Sequence, residues 1–384
     1  MNNKNIIFYT LAFLISVSTY AQRIDTLIGI GDHKIHFNII RGNGVPILFE
    51  SGSGGFSTDW DTILPSIYKV TGTTLITYDR AGFGKSELNS KDTTVLNHGI
   101  INGIKDLETG LQKLGYDGNI ISVCASYGGF YSTLFAARNP NKVKYVVRID
   151  ASLVAAFTDD NLKKYHSFKV DKMKGLGTYY ETINFKNTIK LMRKIEFPSN
   201  IPIIDIIAGI PYHNKTNTQI IEFENAHVDF VNASPNRQLI KADGSTHFIT
   251  YDNPSLVISA IIKAFVATVD EKQKSEILNK CLDNIIEIAN QTKNAESIYF
   301  NSINNLNELG YSYLEKNELD KAIELFKLNI SLFPNDWNVY DSYGEALLKA
   351  KNNVEAIKMY KKSIELNSNN TSGKKILEEL IKIN

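Results

Sequence analysis

Short apolar runs alternate with amphipathic stretches between residue 26 and about residue 268. Several runs are apolar without alternation, which is typical of strands covered on both faces of a parallel sheet. The pattern predicts an α/β fold with a mostly parallel sheet and helices on both faces. The predicted strands are Lys34–Ile40, Pro46–Glu50, Thr73–Tyr78, Asn119–Cys124, Val143–Ile149, Ile201–Ala208 and Arg237–Lys241, and the clearest helices are Ile101–Leu114, Tyr127–Asn139 and Pro254–Val269.

A different pattern begins near residue 270, where strand signals stop and helix-forming residues dominate. Small and aromatic residues recur in this region with a period of 34 residues. The small residues let helices approach closely, and the aromatic rings fill the space between them. A period of 34 residues is typical of tetratricopeptide repeats, which the segment resembles. We therefore expect an all-α domain over 271–384, with repeats at 303–336 and 337–370. Three positions recur at a spacing of 34 residues: Gly310 and Gly344, Ala322 and Ala356, and Phe326 and Tyr360.

The first residues have the three parts of a signal peptide. Lys4 precedes an apolar run from Ile6 to Val17, and Thr19-Tyr20-Ala21 places small residues at −3 and −1 of a cleavage site. The run is shorter than the roughly 20 residues that a spanning helix needs. We expect residues 1–21 to be removed and the protein to be exported, periplasmic or secreted, with no membrane span after cleavage.

Composition narrows the partner classes. The formal net charge is +1 at pH 7, so neither a nucleic-acid surface nor a polybasic membrane anchor is indicated. Cys124 ends a predicted core strand and Cys281 lies in the helical tail, and we expect two small buried residues rather than a disulfide. His33 and His36 are unsuited to one metal ion because strand positions i and i+3 face opposite sides.

Ser126 lies where a predicted strand meets a predicted helix, in Cys124-Ala125-Ser126-Tyr127-Gly128. That context is the one required for a nucleophile elbow, whose sharp turn needs small residues two before and two after the serine. Gly128 meets the second requirement, and Cys124 replaces the usual first glycine. An ordinary turn with a serine N-cap is the alternative.

Two further segments support the elbow: Glu50-Ser51-Gly52-Ser53-Gly54-Gly55, closed by Trp60, and Tyr78-Asp79-Arg80-Ala81-Gly82-Phe83-Gly84-Lys85-Ser86. With these motifs, residues 22–270 resemble the α/β-hydrolase superfamily, with a lid at about 153–200. The resemblance implies an oxyanion hole formed by the backbone N–H groups of Ser53 and Tyr127. Ser51 stands where the family usually has histidine. The resemblance also implies that the 78–86 loop has a structural role near the site.

The resemblance places the catalytic base at His247, which follows the last strand and precedes the closing helix. Asp150, at the end of the strand Val143–Ile149, is the favoured acid because some relatives place it there and the chain order Ser, Asp, His is kept. Asp205 lies within a strand, where it is hard to aim at His247, and Asp229 is a third candidate.

The resemblance therefore implies a serine hydrolase that cleaves a carboxyl ester or amide of a small substrate through an acyl-enzyme, without a cofactor or metal. A serine nucleophile, rather than aspartate, disfavours dehalogenase and epoxide-hydrolase chemistry. One alternative is a proline-iminopeptidase-like aminopeptidase, in which Glu181 or Glu196 holds the substrate amine. The other is a catalytically decayed hydrolase that serves as a scaffold, with the repeat tail binding a peptide or protein.

Overall fold

The computed structural model describes residues 23–89, 91–164, 177–210, 216–274, 276–277, 280, 307, 310–311 and 313–383. The predicted signal peptide, Cys281 and parts of the predicted lid and first repeat lie outside these residues. Within the described ranges, no helix combines the length and the apolar character needed to cross a membrane.

Eight strands form one sheet in the order β1-β2-β4-β3-β5-β6-β7-β8. The pairs β1–β2 and β2–β4 are antiparallel, and every other neighbouring pair is parallel. The mostly parallel sheet predicted from the apolar runs is thereby confirmed. The strands are Arg23–Gly29 (β1), Lys34–Ile40 (β2), Ile47–Glu50 (β3), Leu75–Tyr78 (β4), Ile120–Ala125 (β5), Val143–Ile149 (β6), Ile203–Ala208 (β7) and Arg237–Ala242 (β8).

The central strands separate two apolar cores because successive side chains point to opposite faces. On β3, Ile47 and Phe49 belong to one core, and Leu48 belongs to the other. All four residues of β3 are buried, as expected for a strand covered by helices on both sides. An apolar run without alternation therefore predicted these strands correctly.

Helices cover both faces of the sheet. The closing helix α8 and helix α1 contribute to the core that contains Ile47, and α2, α3 and α5 contribute to the core that contains Leu48. The helices are Leu64–Thr71 (α1), Ile100–Lys113 (α2), Gly128–Arg138 (α3), Asp159–Lys164 (α4), Gly177–Met192 (α5), Asn217–Asn232 (α6), Ile249–Asp252 (α7) and Pro254–Val266 (α8).

Strand β1 is absent from the sequence-based prediction, and its exposure explains why. Its residues alternate between exposed and half-buried, so neither face forms an apolar run. Helix α6 also escaped prediction, although Thr216 caps it by accepting a hydrogen bond from the Gln219 N–H at 3.3 Å. Its apolar residues include the exposed Ile221 and Val228, so the apolar positions do not follow a single face and the helical periodicity is weak.

The C-terminal region is all-α, as predicted, and its repeated small and aromatic residues meet. An added Cβ at Gly310 would lie 2.6 Å from the Phe326 ring, and one at Gly344 would lie 3.0 Å from the Tyr360 ring. Both rings are fully buried. Each glycine therefore admits an aromatic ring against a helix backbone. The helices in this region are Leu319–Leu332 (α9), Trp337–Lys349 (α10), Asn353–Leu366 (α11) and Thr371–Ile383 (α12).

Gly310→Val tests this packing. The new side chain meets a Phe326 ring that has no free space to move into, so we expect a loss of about 1–3 kcal/mol in the unfolding free energy of the helical region. Urea unfolding followed by circular dichroism measures the loss. Gly118→Val is the control, because no atom lies within 4 Å of an added Cβ at that exposed position. Equal stability of the two variants would contradict the packing role.

Candidate active site

Ser126 occupies the sharp turn between β5 and α3. Its φ is 50°, in the left-handed region that serine rarely adopts. The turn is held by the hydrogen bond from the Ser126 N–H to Ile149 O at 3.2 Å, and by bonds from the Ser152 N–H (2.7 Å) and Gly129 N–H (2.9 Å) to Ser126 O. An added Cβ at Gly128 would lie 2.6 Å from the carbonyl oxygen of Glu50. Only glycine fits there, as the elbow requires.

Cys124, two residues before the serine, fills the other small position of the elbow. Its side chain is fully buried and its thiol is free. Burial raises the pKa of this thiol to about 11. The predicted role of a small buried residue fits this position.

His247 and Asp150 are hydrogen-bonded to each other. His247 Nδ1 lies 2.6 Å from Asp150 Oδ2, and the Asp150 side chain is 4% exposed. The other carboxylate oxygen of Asp150 accepts the Ala208 N–H at 2.9 Å. Asp150 also has a positive φ, 43°, so the chain turns sharply at the end of β6 to direct this carboxylate.

Ser126 and His247 line one cavity of about 380 Å³. Gly52 and Ser53 contribute to the same wall. The structure therefore brings together the predicted nucleophile, the predicted base and the loop expected to carry an oxyanion donor. The rest of the lining is mixed: its apolar or aromatic residues are Trp60, Ala125, Ile149, Phe248 and Tyr251, and the others are Ser51, Gly55, Asp59 and Thr250.

The loop after β3 lies against Ser126. An added Cβ at Gly52 would be 3.2 Å from Ser126 Cβ. Within the part of the chain that is described, the Ser53 N–H has no hydrogen-bond partner. Ser51 accepts a hydrogen bond from Trp60 Nε1 at 3.0 Å and donates one to Phe56 O at 2.8 Å. The residue that replaces the usual histidine thus braces the turn.

Tyr127 immediately precedes α3 and is the N-cap residue of that helix. Its backbone N–H therefore belongs to a helix N-terminus, where the aligned peptide dipoles favour negative charge. Its ring is buried, and the hydroxyl lies 3.4 Å from Thr188 Oγ1 on α5. Both predicted oxyanion residues are adjacent to the lid.

Asp205 is engaged by His227 and Arg148. Its carboxylate is fully buried, 2.6 Å from His227 Nδ1 and 3.3 Å from Arg148 Nε. Arg148 in turn donates to the carbonyl oxygens of Ala151 (3.4 Å) and Ser152 (3.0 Å), directly after Asp150. Asp205 therefore supports the loop that carries Asp150.

The third candidate acid is far less enclosed. Asp229 is exposed on α6. Neither Asp205 nor Asp229 is hydrogen-bonded to His247 in the way that Asp150 is.

A buried charge cluster beneath the Ser53 loop was not foreseen. Arg80 donates to Glu50 Oε1 at 2.9 Å and lies 3.2 Å from Glu181 Oε2, while the Tyr78 hydroxyl donates to Glu50. Burial raises the pKa of Glu50 to about 7, although Arg80 and Tyr78 oppose that effect. The motif around Arg80 indicated structural support, but its partner Glu181 is 101 residues away in sequence, and no local pattern connects the two.

Comparisons with known proteins agree with this architecture. Residues 45–176 match the family model described as alpha/beta hydrolase fold. Uncharacterized protein YqjL of Bacillus subtilis (strain 168) is 28% identical over 255 residues, which cover 65% of this chain and 94% of that protein. Epoxide hydrolase VrEH1 from Vigna radiata aligns with a TM-score of 0.50 and 12% identity, over 63% of this chain and 97% of that chain.

Haloalkane dehalogenase DatA from Agrobacterium tumefaciens C58 aligns with a TM-score of 0.48 and 15% identity, over 65% of this chain and 97% of that chain. The family match, the Vigna radiata structure and the sheet order together show the α/β-hydrolase fold. They support a general hydrolase. The fold alone does not fix the reaction, which depends on the residues of the site.

The raised pKa of Glu50 generates a pH prediction. Between the ordinary glutamate value of 4.5 and about 7, the folded protein binds a proton at Glu50 that the unfolded chain does not. The unfolding free energy contributed by Glu50 therefore falls as pH rises through this window, by at most ~1.4 kcal/mol per pH unit, and is constant above it. Glu50→Gln removes this dependence.

Urea unfolding of wild type and Glu50→Gln from pH 5 to pH 8 provides the measurement. The readout is the unfolding free energy of the wild type minus that of Glu50→Gln, which should fall as pH rises. Glu271→Gln, whose side chain is 90% exposed, controls for the loss of one carboxylate. A difference that rises with pH, or that does not change, would show that Glu50 is not held neutral by burial.

Proposed function

From the α/β-hydrolase fold we propose that this protein is a serine hydrolase in which Ser126 is the nucleophile, His247 the general base and Asp150 the orienting acid. The observation that carries the proposal is the 2.6 Å contact of Asp150 with His247, which lines the same cavity as Ser126. A strained elbow on one side and a hydrogen-bonded His–Asp pair on the other are the parts of a catalytic triad.

In the proposed reaction, Ser126 Oγ attacks the substrate carbonyl carbon while its proton passes to His247. The carbonyl π electrons move to oxygen, and the N–H groups of Ser53 and Tyr127 stabilise that oxyanion. Collapse of the intermediate expels the leaving group, which takes the proton from His247, and leaves an acyl-enzyme. Water, deprotonated by His247, then attacks the acyl carbon, and the proton returns to Ser126 as the acid product departs.

Asp150 has two distinct acceptor positions in this scheme. One oxygen holds His247 Nδ1, and the other is held by the Ala208 N–H. The carboxylate therefore cannot rotate away without losing a backbone hydrogen bond. This arrangement keeps Nε2 of His247 available to the nucleophile and stabilises the imidazolium that forms.

We propose a small carboxyl ester or amide as the substrate. A cavity of about 380 Å³ is at the lower end of the size that drug-like ligands occupy, roughly 300–1,000 Å³. The exposed rings of Phe248 and Tyr251 at its edge favour an apolar acyl or leaving group.

The aminopeptidase alternative loses support from the lid carboxylates. Glu181 is engaged by Arg80 and by the Ser53 hydroxyl, and Glu196 is exposed and does not line the Ser126 cavity. Asp59 does line the cavity, but its Oδ2 already accepts the Phe56 N–H at 3.0 Å. The free amine of a substrate would have to compete with the Phe56 N–H for the Asp59 carboxylate.

We also propose the two-domain division, with an exported hydrolase domain over 22–270 and a tetratricopeptide-like domain over 271–384 that binds a peptide or protein. The contacts of Gly310 with Phe326 and of Gly344 with Tyr360 support the repeat character of the tail. They occur at the small and aromatic positions expected of such repeats.

Labelling with a fluorophosphonate probe tests the nucleophile and separates an active hydrolase from a decayed scaffold. We expect one covalent adduct on Ser126 in the wild type and none in Ser126→Ala, with ester turnover lower by on the order of 10⁴ or more. Intact-protein mass spectrometry measures the adduct. Ser368→Ala, at an exposed position in the tail, controls for loss of a serine. A wild type that takes no label would support the scaffold.

The choice of acid is tested by a matched pair of substitutions. Asp150→Asn should lower kcat by about 10³–10⁴, because an amide at this position favours the wrong histidine tautomer. Asp205→Asn should leave kcat of the folded protein within a few-fold, but lower the unfolding free energy by about 3–5 kcal/mol, because Arg148 loses its buried partner. Steady-state kinetics and urea unfolding give the two readouts, and the opposite ranking of kcat would contradict Asp150.

A further inference from the structure

Arg80 lies directly beneath the loop that carries Ser53. Its Nη1 donates to the carbonyl oxygen of Ser51 at 2.9 Å, and its Nη2 donates to the carbonyl oxygen of Gly52. Nη1 also donates to Glu50 Oε1 at 2.9 Å, and the guanidinium side chain is only 4% exposed. A rigid fork of donors can hold two successive carbonyls at once, which the single ammonium of lysine cannot do as well.

These bonds fix the orientation of one peptide group. In a trans peptide the C=O and N–H point in opposite directions. Because the Gly52 carbonyl points to Arg80, the Ser53 N–H points away from Arg80. The loop lies against the nucleophile at Gly52, where an added Cβ would be 3.2 Å from Ser126 Cβ. If the peptide flipped, a carbonyl oxygen would replace the N–H donor, which would repel an oxyanion.

The lid helix α5 contacts the same loop through one residue. Glu181 Oε2 lies 3.2 Å from Arg80 Nη2, and Glu181 Oε1 accepts a hydrogen bond from the Ser53 hydroxyl. The Glu181 side chain is 8% exposed. Asn184, one helical turn later, donates to the carbonyl oxygen of Val95 at 2.8 Å and so fixes α5 to the rest of the domain. The carboxylate of Glu181 therefore links the lid both to Arg80 and to the Ser53 side chain.

We propose that Arg80 and Glu181 are positioning residues that hold the Ser53 N–H toward the nucleophile, so that the oxyanion hole is complete only while α5 packs on this loop. Its catalytic consequence rests on the proposed serine-hydrolase function. The orientation of the loop does not depend on that function, since it follows from the hydrogen bonds of Ser51, Gly52 and Ser53. The packing of α5 on this loop would thereby be coupled to transition-state stabilisation.

The experiment compares Glu181→Ala, Ser53→Ala, the double variant and the conservative Glu181→Gln in the full chain. Ser53→Ala keeps the backbone N–H and removes only the hydroxyl. We expect kcat for an ester to fall about 10-fold in each single alanine variant, with KM within about two-fold, because the lost interaction acts in the transition state. The double variant should fall no further. Glu181→Gln, which keeps an acceptor for Ser53, should lie between wild type and Glu181→Ala.

Two further readouts separate this proposal from the proposed function. Amide hydrogen exchange of peptides spanning residues 50–56 should be faster in the alanine variants than in the wild type, whatever reaction the protein catalyses. Fluorophosphonate labelling should still reach completion, because Ser126 and His247 are intact. It should be slower, because the Ser53 N–H is held less firmly. Lys186→Ala, on the exposed side of α5, is the control in every assay.

Additive losses in the double variant, or unchanged kcat together with unchanged exchange, would overturn the coupling while leaving the triad in place. A wild type that takes no label would instead overturn the triad, and the exchange of residues 50–56 alone would then decide the coupling.

Discussion

The close approach of the α3 N-terminus to the end of β3 is the constraint on which the site depends. Gly128 has no Cβ, and an added one would lie 2.6 Å from Glu50 O and 2.7 Å from Ser51 O. This contact brings the turn that carries Ser126 against the loop that carries Ser53. If α3 were displaced outward by even the width of a methyl group, Ser126 and the proposed oxyanion donor would separate. The lack of a side chain at Gly128 therefore determines how closely the segments that carry Ser126 and Ser53 approach each other.

Two buried guanidinium groups then stabilise loops that carry no regular structure. Arg80 holds the carbonyl oxygens of Ser51 and Gly52, and Arg148 holds those of Ala151 and Ser152. Arg80 is paired with Glu181 and Arg148 with Asp205, and these buried carboxylates limit the cost of removing the two charges from water. Catalytic loops have few backbone partners of their own, so side-chain donors from the sheet supply the missing hydrogen bonds. The two arginines serve the oxyanion side and the acid side of the proposed triad in the same way.

The sequence predicted the sheet well where strands are apolar on both faces, because burial leaves a direct signal in residue type. It failed for β1, whose residues are exposed or half-buried in alternation. Ser126, His247 and Asp150 could be predicted as a candidate site because local motifs and chain order single them out, and the structure bonds His247 to Asp150. The contact of Glu181 with Arg80 was not predicted, since Arg80 belongs to a distant loop and only the folded chain brings them together.

Cys124 occupies the elbow position where related motifs have glycine, and its burial has a practical meaning for the chemistry of this site. The thiol is fully enclosed, and its pKa is raised to about 11. At neutral pH almost none of it is thiolate, the form that reacts with electrophiles and oxidants. Cys124 and Ser126 are potential nucleophiles two residues apart in sequence. Cys124 is buried in the core, whereas Ser126 lines a cavity. Electrophilic inhibitors can therefore discriminate between them by access alone, and an oxidising environment would leave the elbow chemically unaltered.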